Sequence, residues 1–274
     1  MDHPDSNPYV IFTDLDGTLL DQKSYEYRQA LAGLNLIQYK DIPLVFCSSK
    51  TRSEQMIYRA KLGINHPFIV EDGGAIFIEA DYFPFEFEYD KSIGIFKVFE
   101  LGTSYPVIRE ALLSVQNETG IQLNGYGDLS IEEVSNITGL DKQEASLAMA
   151  REYQETLVTV LEPNEALKVE AALKKHGLRL NKGRRFCNIS GQNDKGKAVT
   201  ILASLYRQLL GEISLIGIGD SYNDVPLFNA VDIPVLVQKS PNTWETIERP
   251  DNIIKVLGVG PLGWNRFVID FLSH

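Results

Sequence analysis

The stretch YVIFTDLDGTLL, residues 9–20, decides how the rest of the chain is read. Its first five residues are β-branched, aromatic or apolar and read as a buried strand, which delivers polar residues at its C-terminal end. Asp14 and Asp16 follow at once, two positions apart, so both carboxylates project from the same side of the strand end. One of them can serve as a nucleophile and the other as an acid and base. Gly17 permits a tight departure from the strand, and the Thr18 hydroxyl can fix local geometry. A D-G dipeptide also suits a plain turn, so the run needs companions before it means chemistry.

Outward from this strand, apolar runs and helical patterns alternate. A helical stretch at 25–39 leads to a strand at 43–47 (PLVFC), a helix at 53–62 and a strand at 68–70. The rhythm returns with a helix at 196–210, a strand at 213–218 (ISLIGI), another at 233–237 and a closing helix at 265–272. Such alternation predicts an α/β fold, a Rossmann-like parallel sheet. Between the two stretches, strand-like pieces at 86–90 (EFEYD), 93–101 (IGIFKVFEL) and 155–161 (ETLVTVL) mix with helices at 107–119, 131–137 and 166–176. This reads as an inserted α+β domain, residues 84–185, in a core formed by 1–83 and 186–274. A chain of 274 residues has room for both.

Bulk properties narrow the possible partners. A formal charge of −11 repels phosphate backbones and anionic membranes, so neither nucleic acid nor a membrane surface is expected. No apolar run reaches the roughly 20 residues that span a bilayer, and the first residues lack a basic segment followed by an apolar one; a cytoplasmic location is expected. The two cysteines, Cys47 and Cys187, have no metal-ligand spacing and read as reduced core residues.

Three further segments end predicted strands or open helices, where ligands gather in open α/β sheets. PLVFCSSK (43–50) ends in Ser48 and Ser49, whose hydroxyls and amides can hold a phosphate oxygen, though such serines also cap helices. NDKGKA (193–198) places Lys195 before a helix, as a cation for a transferring phosphoryl group or as a solvated surface lysine. ISLIGIGDSYND (213–224) ends in Asp220 and, one helical turn on, Asp224, hard oxygen ligands suited to magnesium or a plain turn with a cap.

Together DLDGT, the strand-end serine, the lysine before a helix and GDSYND resemble the four motifs of the haloacid dehalogenase superfamily. An insertion between the serine and lysine motifs, after EDGGAIFI (71–78), resembles its subfamily with a C2-type cap. CSSKTR, GYGDLSIEEVSNITGLDKQEAS (125–146), AREYQET (150–156), GRRF (183–186) and GDSYNDVPL (219–227) are similar to mannosyl-3-phosphoglycerate phosphatases, from near the N-terminus to about Leu227. The resemblance implies Asp14 as nucleophile, Asp16 as acid and base, and Ser48, Ser49 and Lys195 around the phosphate. It also implies Mg2+ on Asp14, the Asp16 carbonyl and Asp220, with Asp224 direct or through water. A small phosphorylated glycoside is the implied partner, with glucosyl-3-phosphoglycerate, sucrose-6-phosphate or a hexose phosphate as alternatives. Dehalogenases lack the second aspartate of DLD, which points to phosphoryl transfer; a sensor that has lost catalysis would lack one of these groups. Arg184 and Arg185 are candidates to clamp a carboxylate, or an exposed basic turn, and Asp128 could bond sugar hydroxyls or cap the helix that starts at Ile131.

Overall fold

In the strand β1 (Tyr9–Thr13) Val10 and Phe12 point to one side of the sheet and Ile11 to the other, and all three are buried. A strand covered on both faces has no polar side, hence its continuous apolar run. The computed structural model describes residues 7–183, 185–248 and 250–273. In chain order β1 is followed by α1 (Leu31–Tyr39), β2 (Leu44–Cys47), α2 (Arg52–Leu62), β3 (Phe68–Val70), β4 (Ala75–Glu79), β5 (Lys91–Ile93) and β6 (Phe96–Glu100). Then come α3 (Tyr105–Thr119), α4 (Ile131–Thr138), α5 (Lys142–Met149), β7 (Gln154–Leu157), α6 (Pro163–Lys175), β8 (Arg179–Lys182) and β9 (Cys187–Ser190). The chain closes with α7 (Lys195–Leu210), β10 (Ser214–Gly219), α8 (Val225–Phe228), β11 (Ile233–Gln238), β12 (Ile254–Val259) and α9 (Pro261–Leu272).

Nine strands form one sheet in the order β12-β11-β10-β1-β2-β3-β4-β6-β5. The six from β12 to β3 run parallel, and β4, β6 and β5 add an antiparallel edge. On one face α1 and α9 pack Leu34, Ile37, Trp264 and Val268 against Ile11 and Phe46. On the other α7 and α8 pack Ala198, Val199, Leu202 and Leu227 against Val10, Phe12 and Val45. The expected α/β core with a parallel sheet is therefore present. A second, three-stranded antiparallel sheet, β7-β9-β8, is covered by α3 and α6 through Ile108, Leu112, Val169 and Leu173. A smaller cluster of Tyr126, Val134, Ala145 and Ala148 packs α4 and α5 together, with Val158 just past β7 against it.

Several expectations shift. The helix expected over 25–39 begins only at Leu31, after a single 3-10 turn at Arg28–Ala30. Strands β5 and β6 fall inside 84–185 but extend the core sheet, with β6 paired to β4. Likewise β9 lies beyond residue 185 but pairs with β7 and β8. The sheets thus change over between β6 and α3 and between β9 and α7, not at 84 and 186. EFEYD alternates like a strand but forms none: its Asp90 amide donates to Val98 O in β6 at 2.9 Å, and its Phe87 packs against Phe83 and Phe99. The unforeseen α5 is a short helix held by a capping box between Asp141 and Glu144.

Candidate active site

Three segments converge at the C-terminal edge of the parallel strands, and the convergence follows from the strand order, because β10, β1 and β2 are neighbours. Asp14 directly follows β1, and its amide donates to Ile218 O of β10 at 2.9 Å. Lys195 opens α7, and only 1% of it is exposed. Its Nζ donates to Asp14 Oδ1 and to Asp224 Oδ1, both at 2.7 Å, and lies 3.9 Å from Asp72 Oδ1. A buried ammonium would be costly alone. Burial works against this charge, but Asp14 and Asp224 hold it well above its ordinary pKa. Burial also pushes the Asp14 carboxyl well up, Lys195 opposes the rise, and Asp224 and Asp220 add to it.

Asp224 is a working part of the turn after β10. Its Oδ2 accepts from the amides of Asp220 and Ser221, each at 3.1 Å, while Oδ1 takes Lys195. Ligand atoms of Asp14, Asp220 and Asp224 lie within 4.8 Å of one another. Carboxylate oxygens at that spacing, with one cation among them, suit a hard divalent ion such as Mg2+. Asp16 adds an Oδ1 that is buried without a partner. Gly17 allows the fit: its φ is +81°, and a Cβ there would come within 2.8 Å of Asp220 Oδ2.

Asp16 is held by a residue that sequence reasoning missed. Lys50 Nζ sits 3.1 Å from Asp16 Oδ2 and 3.3 Å from Glu54 Oε1, over the ring of Tyr25. Burial pushes the Asp16 carboxyl up, and Lys50 counters it. Burial disfavours the Lys50 ammonium, yet Asp16 and Glu54 keep it above its usual value. The serines divide. Ser48 is fully buried and its Oγ accepts from the Lys50 amide at 3.3 Å, whereas Ser49 lines the open cavity.

Beyond opening the insertion, the EDGG turn ties the site together. Glu71, Asp72 and Gly73 all have φ between 48° and 89°, in the left-handed region. A Cβ on Gly73 would strike Asp194 O at 2.1 Å, so only glycine lets this turn reach the loop before Lys195. Asp72 donates its amide to Ser48 O at 3.1 Å and accepts from Gln154 Nε2 at 2.9 Å. Three successive left-handed residues, two of them not glycine, leave no plain trace in a sequence.

Above these groups lies a cavity of about 730 Å³. Asp14, Asp16 and Asp220 border it from the core; Tyr126, Arg151, Asn181, Lys182, Arg185 and Phe186 border it from the insertion. Arg184 lies outside the described residues. Arg185 does border the cavity, but its guanidinium donates to the carbonyls of Thr138 and Ile137 at the end of α4. The structure corrects the cap reading of Asp128. Its carboxylate is taken by Arg109 and by the Gly125 amide, it is not in the cavity wall, and Ser130, not Asp128, caps α4.

A model of the haloacid dehalogenase-like hydrolases matches residues 11–247. The chain belongs to that family. Along 265 residues this hydrolase is 46% identical to a glucosyl-3-phosphoglycerate/mannosyl-3-phosphoglycerate phosphatase of Methanococcoides burtonii, covering 97% of each chain. It is 40% identical over 228 residues to a mannosyl-3-phosphoglycerate phosphatase of Pyrococcus furiosus, covering 83% of this chain and 90% of the relative. Among solved structures, the fold matches a phosphatase of the same superfamily from Bacteroides thetaiotaomicron with TM-score 0.68 at 15% identity, covering 100% and 98% of the two chains. A sugar phosphatase of subclass IIB matches with TM-score 0.61 at 13% identity, covering 97% and 99%. The expected superfamily and cap type are thus present. Among the described residues no helix of this hydrolase is long and apolar enough to cross a membrane.

Proposed function

We propose that the chain hydrolyses the phosphate ester of a glycosyl-3-phosphoglycerate, mannosyl or glucosyl, through an aspartyl-phosphate on Asp14. The observation that carries this reading is the near full-length 46% identity to a phosphatase named for both esters. The catalytic roles rest on the residues themselves. Asp14, bonded to Lys195, attacks phosphorus while the bond from phosphorus to the leaving oxygen breaks. Asp16, in its protonated form, gives its proton to the departing alkoxide. The Asp16 carboxylate then takes a proton from water as that water attacks the aspartyl-phosphate, which frees inorganic phosphate and restores Asp14. Lys50 keeps Asp16 oriented through both steps.

Lys195 offsets charge on Asp14 and on the phosphoryl oxygens. Ser49 borders the space where those oxygens would sit, while Ser48 acts from beneath by fixing the loop. Bound at Asp14, Asp16 and Asp220, Mg2+ would supply the positive charge that lets a carboxylate approach a phosphate dianion. Asp224 then serves by orienting Lys195 and the Asp220 loop, since both its oxygens already accept protein donors. The insertion walls the cavity and selects the rest of the substrate.

Two tests follow from this reading. Phosphate release from a panel of esters is expected to give kcat/KM for mannosyl- and glucosyl-3-phosphoglycerate at least about tenfold above sucrose-6-phosphate and hexose phosphates. The reverse ranking overturns the substrate assignment. Chelation of the purified protein is expected to abolish turnover, with recovery on adding Mg2+ and little on adding Ca2+, whose looser coordination misaligns the attack. Full turnover in metal-free protein overturns the metal assignment.

A further inference from the structure

Four cations border the cavity from described residues: Arg151, Lys182, Arg185 and Lys239. Lys239 is paired with Glu245, and the guanidinium of Arg185, an exposed residue, is tied by two of its N–H groups to the carbonyls of Thr138 and Ile137. Lys182 is exposed at the end of β8. Arg151 differs from all of these. It stands in AREYQET, a segment with no role so far, and among the described residues its guanidinium makes one hydrogen bond, from an Nη1 proton to Ser49 O at 2.8 Å. Its Nε is buried without a partner. Its guanidinium faces the ring of Tyr126 at 6.0 Å, and Tyr126 borders the same cavity.

The fold fixes this arginine in place from both sides. Core residue Glu71 accepts from the amides of Glu152 and Tyr153, each at 2.9 Å, and so pins the chain that follows Arg151. Glu152 in turn pairs with Arg52 at 3.0 Å, and Thr51 donates to Leu147 O at 2.8 Å. Glu54 and Glu71 lie near enough to hold the guanidinium charged against burial. Neither is hydrogen-bonded to it, because Glu54 is taken by Lys50 and the Thr51 amide. A pinned, charged arginine with unspent donors, anchored to a residue beside the reacting carboxylates, is a preorganised anion receptor.

We propose that Arg151 binds the carboxylate of the substrate's glycerate unit and thereby selects phosphate esters that carry a carboxylate near the ester oxygen. This rests on the substrate reading above and deepens it. In a 3-phosphoglycerate unit only two carbons separate the carboxylate carbon from the ester oxygen, so the two anions need neighbouring receptors. Lys195 and a divalent ion serve the phosphoryl end, and Arg151, held on Ser49 and bordering the same cavity, has guanidinium donors to give. The planar guanidinium fork matches a carboxylate, and a lysine here would keep charge but lose the fork.

The test compares wild type with Arg151→Met and Arg151→Lys on glycosyl-3-phosphoglycerates and on the simple pair 3-phosphoglycerate and glycerol 3-phosphate. Wild type is expected to favour the carboxylated member of the simple pair. Arg151→Met should lower that preference by roughly ten- to a hundredfold, the worth of a charge-assisted hydrogen bond, mainly through KM, with Arg151→Lys intermediate. Equal losses on both members, or an unchanged ratio, overturn the role of Arg151 and leave the glycosyl-phosphoglycerate reading standing. A wild type that ignores glycosyl-3-phosphoglycerates, but whose preference for 3-phosphoglycerate collapses in Arg151→Met, overturns that reading and keeps the receptor.

Discussion

Asp14→Asn is expected to give a folded protein that releases no phosphate from any ester. An amide nitrogen or oxygen is a poor nucleophile toward phosphorus, and a neutral carboxamide gives a divalent ion one weak oxygen in place of an anion. The fold should not suffer. Burial and the neighbouring Asp224 and Asp220 hold the Asp14 carboxyl well above its ordinary pKa, so its negative charge is a burden on the folded state. A raised carboxylate pKa means that this burden grows as pH rises through the unfolded value, and asparagine removes it. Lys195 loses one partner but keeps Asp224 at 2.7 Å. Thermal melting of metal-free Asp14→Asn near neutral pH should therefore match or exceed wild type, while phosphate release falls below detection. Retention of about a tenth of wild-type kcat would remove Asp14 as nucleophile.

How much of this site a reader could take from the sequence depends on how local each cause is. Asp14, Lys195, Asp220 and Asp224 were legible because each sits where an apolar run or a helix pattern begins or ends, and strand-end placement is a local signal. The parallel sheet was legible for the same reason. Lys50 was not, because the residue that makes it a buried partner of Asp16 is Glu54, one helical turn on, and a lysine near an acid at a helix start ordinarily faces water. Arg151 carries no local signal: its meaning comes from Glu71 and Ser49, some 80 and 102 residues away in the chain. The domain limits moved because β6 and β9 carry ordinary strand patterns, and which sheet a strand joins is set by its partners. Asp128 misled by position, since it sits where a cap could stand, two residues before Ser130, which does the capping.

The second large effect is expected at Lys195, and here stability and activity fall together. Lys195→Met keeps the length of the side chain and removes the cation bonded to Asp14 and Asp224. Three carboxylates then face one another within a buried pocket, with Asp72 close by. Breaking a buried ion pair from one side costs about 3–5 kcal/mol. For a chain of this size that corresponds to a fall in melting temperature on the order of 10 °C in metal-free protein. Turnover should drop by roughly a hundred- to a thousandfold, because Lys195 faces the charge that develops during transfer and Asp224 loses the partner that fixes its orientation. The two losses differ in how they respond to metal. A divalent ion that binds only the folded state stabilises it by mass action, and in Lys195→Met that ion is the remaining counter-charge for Asp14, Asp220 and Asp224. Added Mg2+ should therefore raise the melting temperature of Lys195→Met more than that of wild type, without restoring turnover. Melting within a degree of wild type in chelator, or full activity once Mg2+ is added, would return Lys195 to the status of a buried lysine without a part in the reaction.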